Sequence, residues 1–242
     1  MALHFVTEDA TEARPDDVVT LGGAEAKHAA VVRRVRPGER VTLGDGRGVW
    51  LGGVVEKAEP GQVAVRIESR EQRPAPTSRL ILVQALAKGD RDELAVQAAC
   101  ELGVDEIVPW QAARSVSRWE GAKAVKGRER WASIVREAAK QAHRAWVPEV
   151  APVETTADLV GRTASQRLLV LDPAASTRLS TLQDDGRDIV LVVGPEGGIA
   201  AEEHERLAAA GAERMLLGDT VLRTSTAGPA ALAVLNVLRG RW

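Results

Sequence analysis

The residue types best suited to ligand chemistry lie in the glycine-rich segment GPEGG at residues 194–198, which follows an apolar run at 189–193. Glycines let a backbone turn tightly and approach a ligand closely. The segment lacks the Lys-Ser or Lys-Thr of a phosphate loop and the spacing of a dinucleotide fingerprint. Because the Glu196 carboxylate would repel a polyphosphate, a ligand with hydroxyls, amines or a positive sulfonium is favoured. The alternative is a tight strand-to-helix turn without a ligand.

A second segment of this kind begins about twenty residues further on, where an apolar stretch is followed by a glycine, a polar loop and an apolar helical pattern. Thr224, Ser225 or Thr226 suits the N-cap of that helix. Pro229 is tolerated only near the first turn, so we expect the helix to begin around Ser225 or Thr226. Arg223 is either a surface arginine or a group directed at a ligand. Its position between the two segments favours the ligand.

Both segments lie in a region that alternates between strand and helix patterns. Leu80–Leu86 is an apolar run, interrupted only by Gln84, that is typical of a parallel strand buried on both faces. Arg91–Leu102 is helix-like and ends at Gly103, a favoured C-cap residue. The alternation predicts an α/β domain with a mainly parallel sheet over residues 80–242. Further strands are predicted at residues 107–108, 168–171, 189–193 and 215–217, and further helices near 128–145, 201–210 and 226–239.

Residues 1–70 predict a separate, β-rich domain. Val41–Leu43 and Val49–Leu51 flank the sequence GDGRG at residues 44–48, which is a hairpin signal because Asp-Gly accepts positive φ readily. Val63–Ile67 alternates like a half-buried strand. The residues that follow contain two prolines and no large apolar side chain, so we interpret residues 71–79 as an interdomain linker.

The charge of the chain is unevenly distributed. The formal net charge of -2 argues on its own against a nucleic-acid-binding protein. Residues 110–148, however, contain nine Lys or Arg against three Glu, together with four of the six tryptophans. Positive charge beside aromatic side chains suits RNA, which is held through its phosphates and stacked bases. The alternative is a solvated helical face whose tryptophans point inward.

Several protein classes are disfavoured by the composition. Cys100 is the single cysteine, so an internal disulfide and a cysteine-based metal cluster are excluded, and its helical setting indicates a buried thiol. Residues 1–10 lack the apolar run of a secretory signal. The longest apolar stretch, at residues 189–193, is too short to cross a bilayer. We expect a soluble cytoplasmic protein that binds neither a membrane nor a metal.

Six segments together carry a resemblance to a known family. These are GPEGG at residues 194–198, LGDTVLRTSTA at 217–227, KHAAVVRRVRPGERVTLGDGRG at 27–48, KGDRDELAVQAACELGVDEIVP at 88–109, Arg130-Trp131, and EAAKQAHR at 137–144. In their order along the chain, these segments resemble those of the bacterial 16S ribosomal RNA (uracil-1498-N3)-methyltransferases, which belong to the SPOUT class. The resemblance spans nearly the whole chain, and the combination is specific although each segment alone is weak.

The resemblance implies a PUA-like β-barrel for the first domain and a trefoil-knotted SPOUT domain with a mainly parallel sheet for the second. It also implies that S-adenosylmethionine lies bent in the knot, held by backbone groups of three loops, and is used to methylate N3 of a uridine in 16S ribosomal RNA. By position, the implied cofactor-binding residues are Leu171, Gly194, Pro195, Glu196, Gly197, Gly198, Leu217, Gly218, Val221, Leu222 and Thr226.

The resemblance also implies roles in catalysis and RNA binding. Arg223, supported by Arg144, is expected to stabilise charge on the uracil, whereas no histidine is clearly placed as the base and His143 is only one candidate. The expected partners are 16S ribosomal RNA, free or in the assembled small subunit, and a second copy of the chain that packs through the C-terminal helix near 226–239. The residues expected to contact RNA are His28, Arg33, Arg34, Arg36 and Arg114, with exposed barrel decoration as the alternative for the first four.

The sequence departs from the family pattern at three positions. Ser225 stands where glutamate is common, so no essential carboxylate is assigned there. Ala200 replaces a helix-capping serine, which should weaken the cap by about 1 kcal/mol. Ala98 replaces a frequent lysine. Two other functions stay open at this point: a SPOUT enzyme that methylates a ribose 2′-hydroxyl of transfer RNA, and a non-catalytic RNA-binding module for ribosome assembly.

Overall fold

The computed structural model describes residues 2–242 and divides them into two compact units. The first unit contains the chain up to Ala75 together with Ala139–Val147. The second contains Pro76–Ala138 and Pro148–Trp242. The chain first passes from one unit to the other between Ala75 and Pro76, close to the predicted boundaries at residues 70 and 80. The prediction placed residues 139–147 in the second domain, whereas the structure places them in the first unit.

The first unit is built on a five-stranded sheet with the order β1-β3-β4-β5-β2. β1 pairs in parallel with β3, and the other pairs are antiparallel. Alternate residues of the strands point into one apolar core, where Leu43, Leu51 and Val65 are fully buried. The strands are β1 Leu3–Val6, β2 Val18–Gly22, β3 Arg40–Gly44, β4 Val49–Glu59 and β5 Gln62–Gln72; the helical segments are a 3-10 turn at Glu8–Ala10, α1 Gly23–Lys27 and a π-helical turn at His28–Val32.

The predicted hairpin between β3 and β4 is confirmed, and its turn explains why residues 139–147 belong to this unit. Gly46 and Gly48 have positive φ values of 74° and 102°. The Gly48 N–H donates to the Ala145 carbonyl, and the Val147 N–H donates to the Gly46 carbonyl. A Cβ on Gly48 would lie only 2.8 Å from the Trp146 ring. The turn therefore requires glycine both for its backbone conformation and for this close packing.

The predicted linker is shorter than residues 71–79. β5 continues to Gln72 because β4 is equally long and pairs with it to the end, with Val49 opposite Gln72. The Arg73 N–H then donates to the Gly48 carbonyl. Backbone hydrogen bonds to β4, which is eleven residues long, extend β5 through polar residues whose sequence shows no apolar alternation.

The second unit contains a six-stranded parallel sheet with the order β11-β9-β10-β6-β7-β8. Each predicted strand has a counterpart, although β11 ends at Met215 and does not cover the predicted residues 216–217, and β8 is an additional short strand. The strands are β6 Leu80–Ala85, β7 Glu106–Trp110, β8 Glu149–Val150, β9 Arg167–Leu171, β10 Ile189–Val193 and β11 Glu213–Met215; the helices are α2 Arg91–Glu101, α3 Ala122–Gln141, α4 Thr156–Arg162, α5 Ala201–Ala209 and α6 Thr224–Leu238. The central strands β6 and β10 are buried along their whole length, as their apolar runs predict, and the polar Gln84 in β6 is buried with them.

Two helix boundaries differ from the prediction. α3 begins at Ala122, earlier than the expected range of 128–145, and it ends at Gln141, before His143 takes a left-handed φ of 53° that no helix continues through. α6 begins at Thr224, which makes Pro229 its sixth residue rather than a first-turn residue. Position 228 is a glycine because the helix packs closely on the sheet there, where an added Cβ would lie 3.0 Å from Leu82 Cδ1.

The tryptophans of residues 110–148 are mostly core residues. Trp110, Trp119 and Trp131 are buried, and the rings of Trp119 and Trp131 meet edge to face at 5.1 Å. The inward-pointing interpretation is therefore confirmed for these three, and the expectation that they stack on RNA bases is wrong. Trp146 is half-buried and donates from Nε1 to the Arg73 carbonyl. Cys100 has a buried thiol, as predicted, and its Sγ donates to the Val135 carbonyl at 3.4 Å.

Within residues 2–242, none of the helices combines the length and the apolar character needed to span a membrane. In the same range, His, Cys, Asp and Glu side chains form no group of three or more that could hold a metal ion.

His4 in the first unit is a buried histidine that stays neutral. Its ring stacks on Trp50 at 4.1 Å, and Nδ1 shares a hydrogen bond with Thr42 Oγ1 at 3.0 Å, while the buried Nε2 has no hydrogen-bond partner within residues 2–242. Burial, followed by the charges of His143, Arg73 and Lys140, lowers the pKa of His4 from 6.5 to about 3. Between these values the unfolded chain binds a proton that the folded chain does not, so stability is full above about pH 6.5 and falls toward pH 3.

We predict that His4→Gln, which cannot take up this proton, loses less stability on acidification than the wild type does. From pH 6.5 to 5 the difference should reach about 2 kcal/mol in the free energy of unfolding. Urea unfolding at a series of pH values measures it, and the comparison at pH 8 corrects for packing lost in the variant. Parallel pH profiles for the two proteins would refute the assignment.

Candidate active site

A pocket of about 590 Å³ lies at the carboxyl edge of the parallel sheet in the second unit. Most of its walls come from three chain segments: the residues after β9, the turn after β10, and the stretch from the end of β11 to the start of α6; Arg91 of α2 and His204 of α5 complete them. These are the three loops that the sequence resemblance singled out. The predicted residues that line the pocket are Leu171, Gly194, Pro195, Glu196, Gly198, Leu217, Gly218, Val221, Leu222 and Arg223.

The turn after β10 depends on its glycines. The Gly198 N–H donates to the Pro195 carbonyl at 2.9 Å, and Gly198 itself has a φ of 72°. A Cβ on Gly194 would lie 2.7 Å from Ile199 Cγ1. α5 then begins after Ala200, which has no side-chain acceptor, and Glu203 compensates in part by accepting the Ala200 N–H.

Glu196 ties this turn to the loop after β6. Its Oε1 accepts hydrogen bonds from the Lys88 N–H at 3.2 Å and from Arg91 Nη1 at 3.1 Å. Burial works to raise the pKa of the Glu196 carboxyl, but hydrogen bonds from its own N–H, from the Lys88 N–H and from Arg91 hold it below its ordinary value. The side chain is therefore an anion at neutral pH, and its Arg91 partner also lines the pocket.

A second carboxylate, Asp172, follows β9 at the pocket wall. It accepts hydrogen bonds from the Ala174 N–H at 2.8 Å and from Arg214 Nε at 2.7 Å, and His204 Nε2 lies 3.5 Å away. Burial works to raise the pKa of Asp172, but these hydrogen bonds and the neighbouring charges lower it overall. Asp172 thus places a fixed negative charge beside the pocket.

The start of α6 supplies positive potential. Arg223 is the N-cap residue, lines the pocket and forms no side-chain cap, and no acidic residue lies in the first turn. The prediction that Thr224, Ser225 or Thr226 caps the helix is therefore wrong, because the Thr224 hydroxyl instead donates to the Gly194 carbonyl. The uncapped helix end and the guanidinium together favour a group on which negative charge develops.

Comparison with known proteins identifies the family. The model of the RNA methyltransferase domain matches residues 73–236, and that of the RNA methyltransferase PUA domain matches residues 21–68. The chain is 45% identical over 231 residues to ribosomal RNA small subunit methyltransferase E of Mycobacterium bovis, a match that covers 93% of this chain and 88% of that protein. The chain belongs to the ribosomal RNA small subunit methyltransferase E family.

Two further relatives extend the similarity to the full chain. The methyltransferase E of Bacillus subtilis is 30% identical, with 99% of each chain covered. The crystal structure of methyltransferase E from Neisseria gonorrhoeae bound to S-adenosyl methionine superimposes with a TM-score of 0.88 at 28% identity and covers 98% of both chains. These matches confirm the SPOUT fold class with a PUA-like first domain that the sequence resemblance implied.

Two residues of this methyltransferase E family member that were predicted to bind the cofactor, Gly197 and Thr226, do not line the pocket. Gly197 is next to the wall, and its carbonyl accepts from Arg114 Nη1 at 3.2 Å. Thr226 lies on the first turn of α6, where it is exposed. Sequence reasoning missed Arg91, Asp172 and His204, although the place of Asp172 directly after a strand was a signal that could have found it.

The remaining predicted residues belong to the first unit. His28 is half-buried against Phe5, whereas Arg33, Arg34 and Arg36 are exposed. Arg144 and His143 lie in the segment that packs against the β3–β4 turn, and the Arg144 N–H donates to the Ala139 carbonyl.

We predict that two glycines of the pocket differ in their tolerance of alanine. An added Cβ meets no atom within 4 Å at either Gly198 or Gly218, but only Gly198 has a positive φ. Gly198→Ala should lower the free energy of unfolding by about 1 kcal/mol, since an L-residue is strained in that region. Gly218→Ala should change it by less than about 0.5 kcal/mol. Urea unfolding measures both, and equal losses would contradict the explanation.

Proposed function

We propose that the protein transfers the methyl group of S-adenosylmethionine to N3 of a uridine in 16S ribosomal RNA, at the position implied by its family. The observation that carries the proposal is the pocket at the carboxyl edge of β9, β10 and β11. It occurs in a chain that matches the S-adenosyl methionine-bound relative over 98% of its length. The substrate is the RNA, free or within the assembled small subunit, and the proposed compartment is the cytoplasm.

The pocket fits this donor in size and charge. Its volume of about 590 Å³ lies within the range of small-molecule sites. The open space beside Gly198 and Gly218 lets a ligand approach the backbone, where a side chain would otherwise intrude. Asp172 and Glu196, both held as anions, suit a ligand that carries a sulfonium and an ammonium group.

When bound, the donor supplies an electrophilic methyl group on a positive sulfur, a chemistry that requires neither a metal nor a covalent intermediate. The uracil N3 must be unpaired to reach it, so the base has to be flipped out or presented in a single-stranded region. As N3 loses its proton, negative charge grows on the uracil carbonyl oxygens. Arg223 and the positive end of α6 stabilise that charge at the pocket. We retain a supporting role for Arg144 on the resemblance alone.

Methylation of purified small ribosomal subunits, followed by mass analysis of the nucleosides, tests the function. The expected product is 3-methyluridine. A ribose-methylated nucleoside would show that the enzyme belongs to the 2′-hydroxyl class instead. Failure of the wild-type protein to bind S-adenosylhomocysteine in calorimetry, together with no product, would leave only an RNA-binding role.

RNA is proposed to contact the first unit through its exposed arginines. Arg33, Arg34 and Arg36 lie close together after the π-helical turn, with His28 at the start of that turn. Arginine suits phosphate contacts because its guanidinium donates two parallel hydrogen bonds. Arg114 is exposed in the second unit, and its guanidinium donates to the Gly197 carbonyl next to the pocket.

A second copy of the chain is proposed to pack on the C-terminal region, where Val237 and Trp242 are exposed.

We predict that Arg223→Ala lowers kcat by about a hundredfold or more, since a lost charge-stabilising donor typically has that effect. Its affinity for S-adenosylhomocysteine should stay within about threefold of the wild type, because the lost group acts on the uracil. The control is Arg206→Ala, which removes an exposed arginine of α5 outside this pocket. Near-normal turnover of Arg223→Ala would remove this residue from the chemistry.

We predict that the double variant Arg33→Ala/Arg36→Ala binds ribosomal RNA more weakly and with a shallower salt dependence. If each arginine contacts one phosphate, the slope of log affinity against log salt should fall by about 1.5 to 2. A matched double variant is Arg40→Ala/Arg66→Ala in the same unit, whose side chains pair with Glu68 and Glu56. Filter binding at several salt concentrations measures the slopes, and equal slopes for the two variants would contradict the proposed contact.

A further inference from the structure

The first residue of α6 carries a buried hydroxyl that joins three elements of the second unit. Thr224 Oγ1 donates to the Gly194 carbonyl at 2.9 Å and accepts a hydrogen bond from Gln84 Nε2 at 2.9 Å. Gln84 belongs to β6 and lies opposite Val193, the last residue of β10. One hydroxyl therefore connects the ends of β6 and β10 with the start of α6.

This connection lies between the two loops that form the pocket. Gly194 opens the turn after β10, and Thr224 ends the segment after β11; both line the pocket. Arg223 is the residue directly before Thr224, so its backbone is anchored by the same hydroxyl. The distance between the two loops and the backbone position from which the Arg223 side chain extends thus depend on one hydrogen-bonded residue, Thr224.

At its buried position, Gln84 makes the folded state less stable than an apolar residue would. Its side chain is fully buried, and Nε2 also donates to the Ala85 carbonyl. Its Oε1 is buried and lacks a hydrogen-bond partner among the residues that the structure describes. A buried acceptor that has lost its hydration without a replacement destabilises the folded state. An apolar side chain of similar volume would avoid this loss, but it could not hold the Thr224 hydroxyl.

We propose that Gln84 and Thr224 are positioning residues that set the geometry of the donor pocket and of Arg223, an inference that rests on the proposed function. Neither residue is assigned contact with the uracil. Gln84 orients the Thr224 hydroxyl, and this hydroxyl holds the Gly194 carbonyl against α6. Loss of either side chain leaves the loops intact but lets them move relative to each other.

The test compares three variants in the full-length protein. Thr224→Val keeps the branched shape and removes the hydroxyl, Thr224→Ser keeps the hydroxyl, and Gln84→Met removes the amide with little change in volume. We expect Thr224→Val and Gln84→Met to bind S-adenosylhomocysteine about tenfold more weakly, and Thr224→Ser to stay within about threefold of the wild type. Gln84→Met should unfold at the same temperature as the wild type or higher, a result that a purely structural role would not produce.

The second unit offers a matched control in Thr156. It is also the first residue of a helix, α4, and is buried to the same extent as Thr224, with 7% exposure for each. Its hydroxyl donates to Glu203 Oε1 and accepts from Trp110 Nε1, outside the donor pocket. Thr156→Val should therefore lower the unfolding temperature without changing the affinity for S-adenosylhomocysteine.

Two outcomes would overturn the inference. One is wild-type affinity in both Thr224→Val and Gln84→Met, and the other is an equal loss of affinity in Thr156→Val. Either can be observed while the wild-type protein still binds S-adenosylhomocysteine and methylates RNA, so the proposed function would survive. If the wild-type protein itself binds no S-adenosylhomocysteine, the proposed function fails instead. Should Thr224→Val fold poorly, Gln84→Met carries the test alone.

Discussion

The parallel order of β11, β9, β10 and β6 is the constraint on which the site depends. Parallel strands end at the same edge of a sheet, so the segments after β9, β10 and β11 meet there although they are far apart in the chain. The fully buried strands β6 and β10 keep this edge rigid. The loops can then be rich in glycine and irregular, because the sheet and α6 determine where they begin and end.

Charge in the pocket is arranged partly by neighbours that do not line it. Arg214 and the Ala174 N–H hold Asp172 as an anion, and the Lys88 N–H does the same for Glu196. Arg223 at the uncapped start of α6 provides the opposite sign within the same pocket. A cationic donor and an acceptor that becomes anionic can each meet a matching potential, because the charges are fixed before the ligands arrive.

Helices and strands were predicted correctly where the sequence pattern within the element was strong, and incorrectly where contacts from elsewhere in the fold decided the outcome. β6 and β10 were predictable because each is a short apolar run typical of a strand buried on both faces, with Gln84 as the one polar residue in β6. The start of α6 was not, because Thr224, Ser225 and Thr226 are equally good capping residues by type, and the carbonyl of Gly194 takes the Thr224 hydroxyl instead. β5 extends through Gln72 only because β4 is there to pair with it. The burial of Trp110, Trp119 and Trp131 was likewise decided by packing and not by composition.

The sequence by itself determined the family, the two-part organisation and the glycine turns, since these depend on residue types close together along the chain. Only the tertiary structure showed that Arg91, Asp172 and His204 line the same pocket as Arg223, because they come from separate segments of the second unit. It also placed residues 139–147 with the first unit, where the Gly48 N–H donates to the Ala145 carbonyl and the Val147 N–H donates to the Gly46 carbonyl. Such contacts join residues about a hundred positions apart, and no local pattern of side chains records them.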